Sequence, residues 1–463
     1  MPLTNYAPET RKSKNIVIIC DGTGNKFIDV PRPDGSNSNV VKLCTALKID
    51  HEQVAYYHPG VGSAGDPTAK GWIARKWSVL RGLAFGQGFA GNVQDAYRYL
   101  MEMYEDGDRV YMFGFSRGSY TVRALAGLLD GYGLLYKGNE GNLLYAWNEY
   151  VKQHDDRKRH RVEPNQRFKA TFSRPNFQIH FMGIWDTVSS VGWINTPLRL
   201  FSVAQNPIIQ TGRHAISIDE RRCFYRDNLW IGADKSRLTK EVTEQANPGQ
   251  DLLQIWFAGV HSDVGGSYAQ KESGLSNIAL EWLIGEAEKA HAATEPAMCA
   301  LVLGEDVPPT GDAAVDHRID VLKPLYKKPE TSKIHKSLRG LWWLLELLPH
   351  RYYDKDDGKE TWRTPLGMRR RIPSGAYIHK TVKERIEKSQ YRPKNLKAGA
   401  EALHPINVPT QPPGSVYVYT PAIDSKPFMN WAAVRVGVMF FVTAFEIAVL
   451  GGIAWGFWHL WRH

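Results

Sequence analysis

Cysteine is scarce in this chain: four residues in 463, at positions 20, 44, 223 and 299. No two of them have the spacing of a zinc site or a redox motif, and no Cys/His grouping has metal-ligand spacing. The sequence therefore predicts free thiols of a reducing compartment, no metal and no cofactor. The amino-terminal stretch from Met1 to Thr10 lacks an apolar run and does not read as a signal peptide, and residues 1–13 are expected to be a flexible N-terminus. Internal repeats are absent. Acidic residues are outnumbered, leaving a formal charge of +10, but the basic residues are not interleaved with aromatics in a nucleic-acid-binding motif, and no nucleic-acid partner is expected. Many cluster late, at Arg369, Arg370 and Arg371 and between Lys380 and Lys397. Attraction to anionic lipid headgroups would explain such clusters.

What the chain does have is a set of apolar runs that each end in a chemically capable residue. Arg109–Phe113 reads as a buried strand, and Tyr120–Leu129 carries apolar residues at helical spacing. Between them lies Gly114-Phe115-Ser116-Arg117-Gly118. A serine between two glycines at a strand-to-helix turn is the nucleophile elbow of an α/β-hydrolase. The turn forces the serine into a strained backbone, lifts its hydroxyl clear of the sheet, and leaves the Arg117 N–H facing the same space.

A serine hydroxyl needs a histidine to take its proton, and the histidine needs a carboxylate to hold its tautomer. Phe177–Trp185 is strand-like and ends in Asp186-Thr187-Val188. Leu252–Val260 is another such run and ends in His261-Ser262-Asp263. Serine, acid and histidine thus follow three apolar runs in the order this fold requires. Asp263 competes for the acid, but it lies two residues from His261 on one loop and is better suited to bracing that loop. Asp227 is a third candidate, without a strand before it. Ser116, Asp186 and His261 are the predicted triad.

The earliest buried strand, Lys14–Cys20, runs into Asp21-Gly22-Thr23-Gly24-Asn25. Aspartate-nucleophile phosphatases also place Asp-Gly-Thr after a strand, but they need a second aspartate where this chain has Ile19. A glycine-rich loop here can instead supply a second backbone donor of an oxyanion hole, from Gly22 or Thr23, with the Arg117 N–H as the first. Asp21 is expected to pin the loop.

Together, Cys20–Asn25, Gly114–Gly118, Gly183–Val188 and Trp256–Gly266 resemble the bacterial α/β-hydrolase family that includes the type VI secretion phospholipase effectors of the first lipase class. The resemblance covers roughly residues 14 to 290. It implies a Ser-Asp-His esterase acting on phospholipids, with Ser116, Asp186 and His261 in the motif positions. Those effectors are typically longer and carry a bulky membrane-docking domain, for which this chain has no room.

Strands alternate with helical patterns through residue 290, so one large α/β domain with a mostly parallel sheet and flanking helices is expected over residues 14–403. Gly91–Tyr104 should be a helix. The segments from Lys70 to Gly88 and from His154 to Arg167 read as loops or caps. A Pro-rich linker is expected at 404–427 and a membrane segment at 428–463. From Val436 to Trp458 the chain is apolar except for Glu446, long enough to cross a hydrocarbon core of ~30 Å. Arg435, Arg462 and several tryptophans flank it. Glu446 costs ~3 kcal/mol near the bilayer centre, which the other residues offset. A carboxylate there suggests a protonated side chain, a helix partner or a water-filled path, and Gly451 and Gly452 one turn later permit close approach of a partner helix. The predicted protein is single-pass, with its hydrolase domain cytoplasmic. Its predicted substrate is a phospholipid or another ester. Alternatives are a non-catalytic membrane-anchored scaffold and an esterase of soluble esters. Leu338–Leu348 is a second apolar stretch, too short to span, that suits a lid, an interfacial element or packing on the core.

Overall fold

A computed structural model describes residues 12–22, 36–60, 88–152, 164–188, 206–230, 249–340, 342–353, 360–397 and 399–421, with a few short pieces between 188 and 206. Nine strands form the main sheet: β1 (Asn15–Cys20), β2 (Gln53–His58), β3 (Arg109–Phe115), β4 (Ile179–Trp185), β5 (Ile209–Ser217), β6 (Asp251–Phe257), β7 (Tyr377–His379), β8 (Leu403–Ile406) and β9 (Val416–Tyr419). Their order is β8-β9-β7-β6-β5-β4-β3-β1-β2. All neighbours from β2 to β7 pair in parallel, and β9 and β8 add antiparallel strands at one edge. The fold is α/β with a mostly parallel sheet, as the alternation of strands and helices predicts.

Both faces of the sheet are covered, which is why its strands read as continuous apolar runs rather than alternating ones. Ile16 and Ile18 of β1 and Val110 and Met112 of β3 face one core, shared with α2 (Phe89–Met103) and α3 (Arg117–Tyr132). Val17, Ile19, Tyr111 and Phe113 face the other, with α1 (Asn39–Ala46) and α4 (Gly274–Lys289). Strand order reverses at β1, which lies between β2 and β3. At such a switch point the connections leave in opposite directions and open a crevice outside the carboxyl ends of the strands.

Two expectations need correction. The Pro-rich segment 404–427 is not a free linker up to its end: Leu403–Ile406 and Val416–Tyr419 pair with each other, and Val416–Tyr419 also pairs with β7. Pro405 is tolerated because β8 is the edge strand, where a missing N–H costs no ladder bond. The basic run 369–371 is also not wholly a surface patch, because Arg370 is buried. The predicted loops at 70–88 and 154–167 lie largely outside the described residues. So does the expected span 436–458, with Glu446, Gly451 and Gly452. Among the described residues no helix is long and apolar enough to cross a membrane.

Candidate active site

Ser116 closes β3 and caps α3 with φ 60° and ψ −121°. A non-glycine residue adopts positive φ only where the surroundings enforce it. Here the glycines on either side explain the enforcement. A Cβ at Gly114 would sit 2.7 Å from the backbone of Gly118, and one at Gly118 would sit 2.1 Å from the carbonyl oxygen of Cys20. The helix is drawn against the carboxyl end of β1, and no larger residue fits. Ser119 Oγ donates to the carbonyls of Gly114 at 2.7 Å and Trp185 at 2.9 Å, tying the turn to β4. The Arg117 N–H opens α3, where the first N–H groups have no intrahelical acceptor.

Asp186 and His261 meet. Asp186 follows Trp185, the residue paired with Phe115 in the β3–β4 register, so it leaves the sheet beside Ser116. His261 follows β6 and opens a short helical turn. Its Nδ1 lies 2.5 Å from Asp186 Oδ2, and both side chains are buried. The Phe115 ring stacks on the imidazole at 4.6 Å, and the Tyr225 ring meets its edge at 4.7 Å. These two aromatic contacts fix the plane of His261 next to the serine turn. With Nδ1 committed to Asp186, Nε2 is the nitrogen left to exchange a proton.

The carboxylate has a further partner that sequence reasoning missed. Arg370 donates from Nη1 to Asp186 Oδ1 and from Nη2 to Oδ2 at 3.0 Å. The same guanidinium reaches Ser217 Oγ at 2.8 Å and the Tyr225 carbonyl at 2.5 Å. The Ser217 N–H adds a donor to Asp186 Oδ1 at 2.8 Å. Burial pushes the Asp186 carboxyl up, but Arg370 and His261 outweigh it and hold the group well below the usual carboxylate range. Burial lowers His261 below its ordinary value, against the opposing pull of Asp186. Arg370 lay within a run of three arginines, and nothing local marked which of them turns inward.

A second carboxylate also escaped the sequence reading. Glu220 accepts from the His261 backbone N–H at 3.1 Å and pairs with Arg222 at 2.9 Å. Burial raises its pKa, but Arg222 brings it down to about 2. It anchors the histidine through the main chain.

The remaining candidates fall elsewhere. Asp263 accepts from the Val260 N–H at 3.0 Å and from His335 Nδ1 at 2.6 Å, so its carboxylate is engaged by its own loop and by the distant His335 and not by His261. Asp227 forms an isolated bridge with Val188. Asp21 accepts from the Gly22 N–H at 2.6 Å, Ser38 Oγ at 2.7 Å and Tyr57 Oη at 3.1 Å, which pins the loop after β1. Gly22, a candidate oxyanion donor, therefore gives its N–H to Asp21. Thr23 lies outside the described residues. Among the described residues no group of three or more His, Cys, Asp or Glu side chains could hold a metal ion.

A family model described as the Tle1-like phospholipase effector catalytic domain of the type VI secretion system matches residues 14–286. An uncharacterised protein of Saccharomyces cerevisiae is 27% identical, over 85% of this chain and 82% of that one. A crystal structure of an uncharacterised protein from Pseudomonas aeruginosa is 18% identical and has a TM-score of 0.36, covering 69% of this chain and 49% of the other. This chain thus spans about half the length of that protein. The structure of the Tle1 effector bound to the VgrG spike is 12% identical with a TM-score of 0.37, covering 76% of this chain and 91% of the other.

Proposed function

The chain belongs to the family of Tle1-like phospholipase effector catalytic domains, and from that premise we propose a membrane-anchored serine hydrolase of α/β-hydrolase type that cleaves phospholipid carboxylic esters. The observation that carries this reading is the buried Asp186–His261 couple beside a serine held at positive φ. A scaffold without chemistry would have no reason to keep a strained serine next to a desolvated imidazole–carboxylate pair.

In this reading His261 Nε2 takes the Ser116 proton as Oγ attacks the acyl carbonyl. The new C–O bond places a negative charge on the carbonyl oxygen, and the Arg117 N–H stabilises it. One such donor lowers the barrier by ~3 kcal/mol. Collapse expels the alcohol half of the ester, which takes the proton from His261. Water, deprotonated by the same nitrogen, then attacks the acyl-enzyme, releases the fatty acid and returns the proton to Ser116. Asp186 stabilises the imidazolium of both steps, and Arg370 is a positioning residue behind it. The apolar stretch 436–458 would keep the enzyme at the bilayer, with the hydrolase domain on the cytoplasmic side.

A fluorophosphonate probe tests the nucleophile. The parent chain should be labelled and Ser116→Ala should not; equal labelling of both would sink the assignment. Incubation with defined phospholipids and with short-chain soluble esters, read by product mass, tests the substrate class.

A further inference from the structure

The apolar stretch expected as a lid or a core element divides its residues in two. Its helix α5 (Trp342–Glu346) turns Glu346 inward, where the carboxylate is fully buried. It accepts from the Cys223 N–H at 2.6 Å and the Gly367 N–H at 3.0 Å. The Trp342 ring meets the Tyr225 ring at 5.6 Å, and Tyr225 in turn lies against His261. The helix is therefore fastened to the active site by a caged carboxylate and a chain of two aromatic rings.

The rest of the stretch faces outward. Trp343, Leu344 and Leu347 are 42%, 59% and 56% exposed, and Leu366 and Met368 are 58% and 39% exposed. The two exposed segments lie side by side. Gly367, between Leu366 and Met368, packs against Trp343 and Leu338, and the Leu366 N–H donates to the Glu346 carbonyl at 3.1 Å. Leu366 holds φ 49°, a left-handed conformation that a leucine adopts against its preference. The chain accepts that strain and leaves five large apolar side chains in water beside the site. Contiguous exposed apolar surface of this kind marks an interaction face.

Charge decides the partner. From Lys333 to Leu347 the charged residues are Lys333, Lys336, Arg339 and Glu346, and the one acid is the caged Glu346. From Trp362 to Arg371 there are four arginines and no acid. Arg370 is turned inward, while Arg363 and Arg371 are exposed. An apolar centre with a basic rim matches a bilayer whose acyl region takes Trp and Leu and whose headgroups carry negative charge.

We propose that the outer face of α5 and the 366–368 turn dock on an anionic phospholipid surface and set the mouth of the Ser116 site against it. The purpose of this docking rests on the phospholipase reading, but the binding itself does not. Amide hydrogen exchange separates the two. The full chain carrying Ser116→Ala is mixed with phosphatidylcholine vesicles, with and without phosphatidylglycerol. Exchange within 338–348 and 362–369 should slow by ~10-fold on the anionic vesicles and less on the neutral ones. Slowing confined to other segments, such as 436–458, overturns the proposal, as does equal slowing without vesicles at raised protein concentration, which would indicate a second copy of the chain. In the active full chain, Leu344→Ser with Leu347→Ser should cut hydrolysis of vesicle phospholipid ~10-fold and spare a water-soluble short-chain ester. A parallel fall in both would make the patch a part of the fold and sink the proposal. A parent chain that cleaves neither ester refutes the hydrolase reading, and the exchange result still decides docking.

Discussion

Arg370 Nη2 lies 3.0 Å from the same Asp186 oxygen that faces His261 Nδ1 at 2.5 Å. One carboxylate thus answers to a guanidinium and an imidazole, and the fixed fork of the guanidinium leaves it a single orientation. Arg370 comes from beyond the 14–286 span of the family match, so the carboxyl-terminal part of the chain completes the site.

Arg370→Met should lower kcat by ~10²-fold with little change in KM for a soluble ester, because it releases Asp186, the proposed catalytic acid, without touching substrate. The acid limb of the kcat/KM profile should also move to higher pH. Without the guanidinium, Asp186 gives its charge to the imidazolium alone and makes His261 more basic. Arg370→Lys should restore part of the rate. An unmoved pH profile, with activity falling only as far as thermal stability does, would reduce Arg370 to a packing role.

Asp186→Asn should cut turnover by ~10⁴-fold, because the amide leaves His261 in the wrong tautomer, and should also cost ~3–5 kcal/mol of stability, because Arg370 is left buried without its carboxylate. Asp263→Asn should cost ~1–3 kcal/mol of stability through its contacts to Val260 and His335, at nearly parental rate. The reverse ranking of turnover in steady-state assays would move the acid to Asp263.

The two glycine environments give opposite signs for one substitution. Gly118→Ala places a methyl 2.1 Å from the Cys20 carbonyl oxygen. It should destabilise by ~3 kcal/mol or prevent folding, since main chain cannot step aside. Gly285 lies inside α4, and a Cβ added there would meet no atom within 4 Å. Gly285→Ala should therefore stabilise by ~1 kcal/mol through helix propensity. Urea midpoints of the two variants check both.

Stability should fall on acidification below the ordinary histidine pKa. His214 is fully buried and its pKa is lowered from 6.5 to about 3, by burial first and by Arg123 next. Between those values the unfolded chain binds a proton that the folded one refuses, so the folded state loses ground as pH drops. At pH 5 this amounts to about 2 kcal/mol. His379, lowered to about 4 by burial, adds in the same direction. His214→Gln keeps a donor for Gln254 and an acceptor for the Thr187 N–H. It should flatten the dependence of the urea midpoint on pH, and an unchanged slope would remove His214 from this account.

Ending the chain after Pro427 should move the protein from the membrane pellet to the soluble fraction and preserve turnover of a soluble ester, because Ser116, Asp186, His261 and Arg370 all precede that point. Fractionation of the full chain into the soluble pool would rule out the anchor.

The chain's own local order determined where its chemistry falls. Ser116, Asp186 and His261 each follow an apolar run, and in a sheet buried on both faces the carboxyl end of a strand is where the backbone emerges and polar side chains can meet. The elbow was legible for the same reason: Gly114 and Gly118 are required by the backbone within four residues of each other. Tertiary structure alone decided the elements whose polar residues are balanced by distant partners. β5 carries Arg213 and His214 in its middle and does not read as a core strand; Glu286 and Asp251 neutralise the first, and Gln254 satisfies the second. Pro405 belongs to a strand only because that strand is an edge. Arg370 could not be told from Arg369 and Arg371, since what buries one guanidinium is a carboxylate 184 residues away in the chain. A charge enters the interior only with its partner in place, and that partner is chosen by the fold rather than by neighbours in sequence.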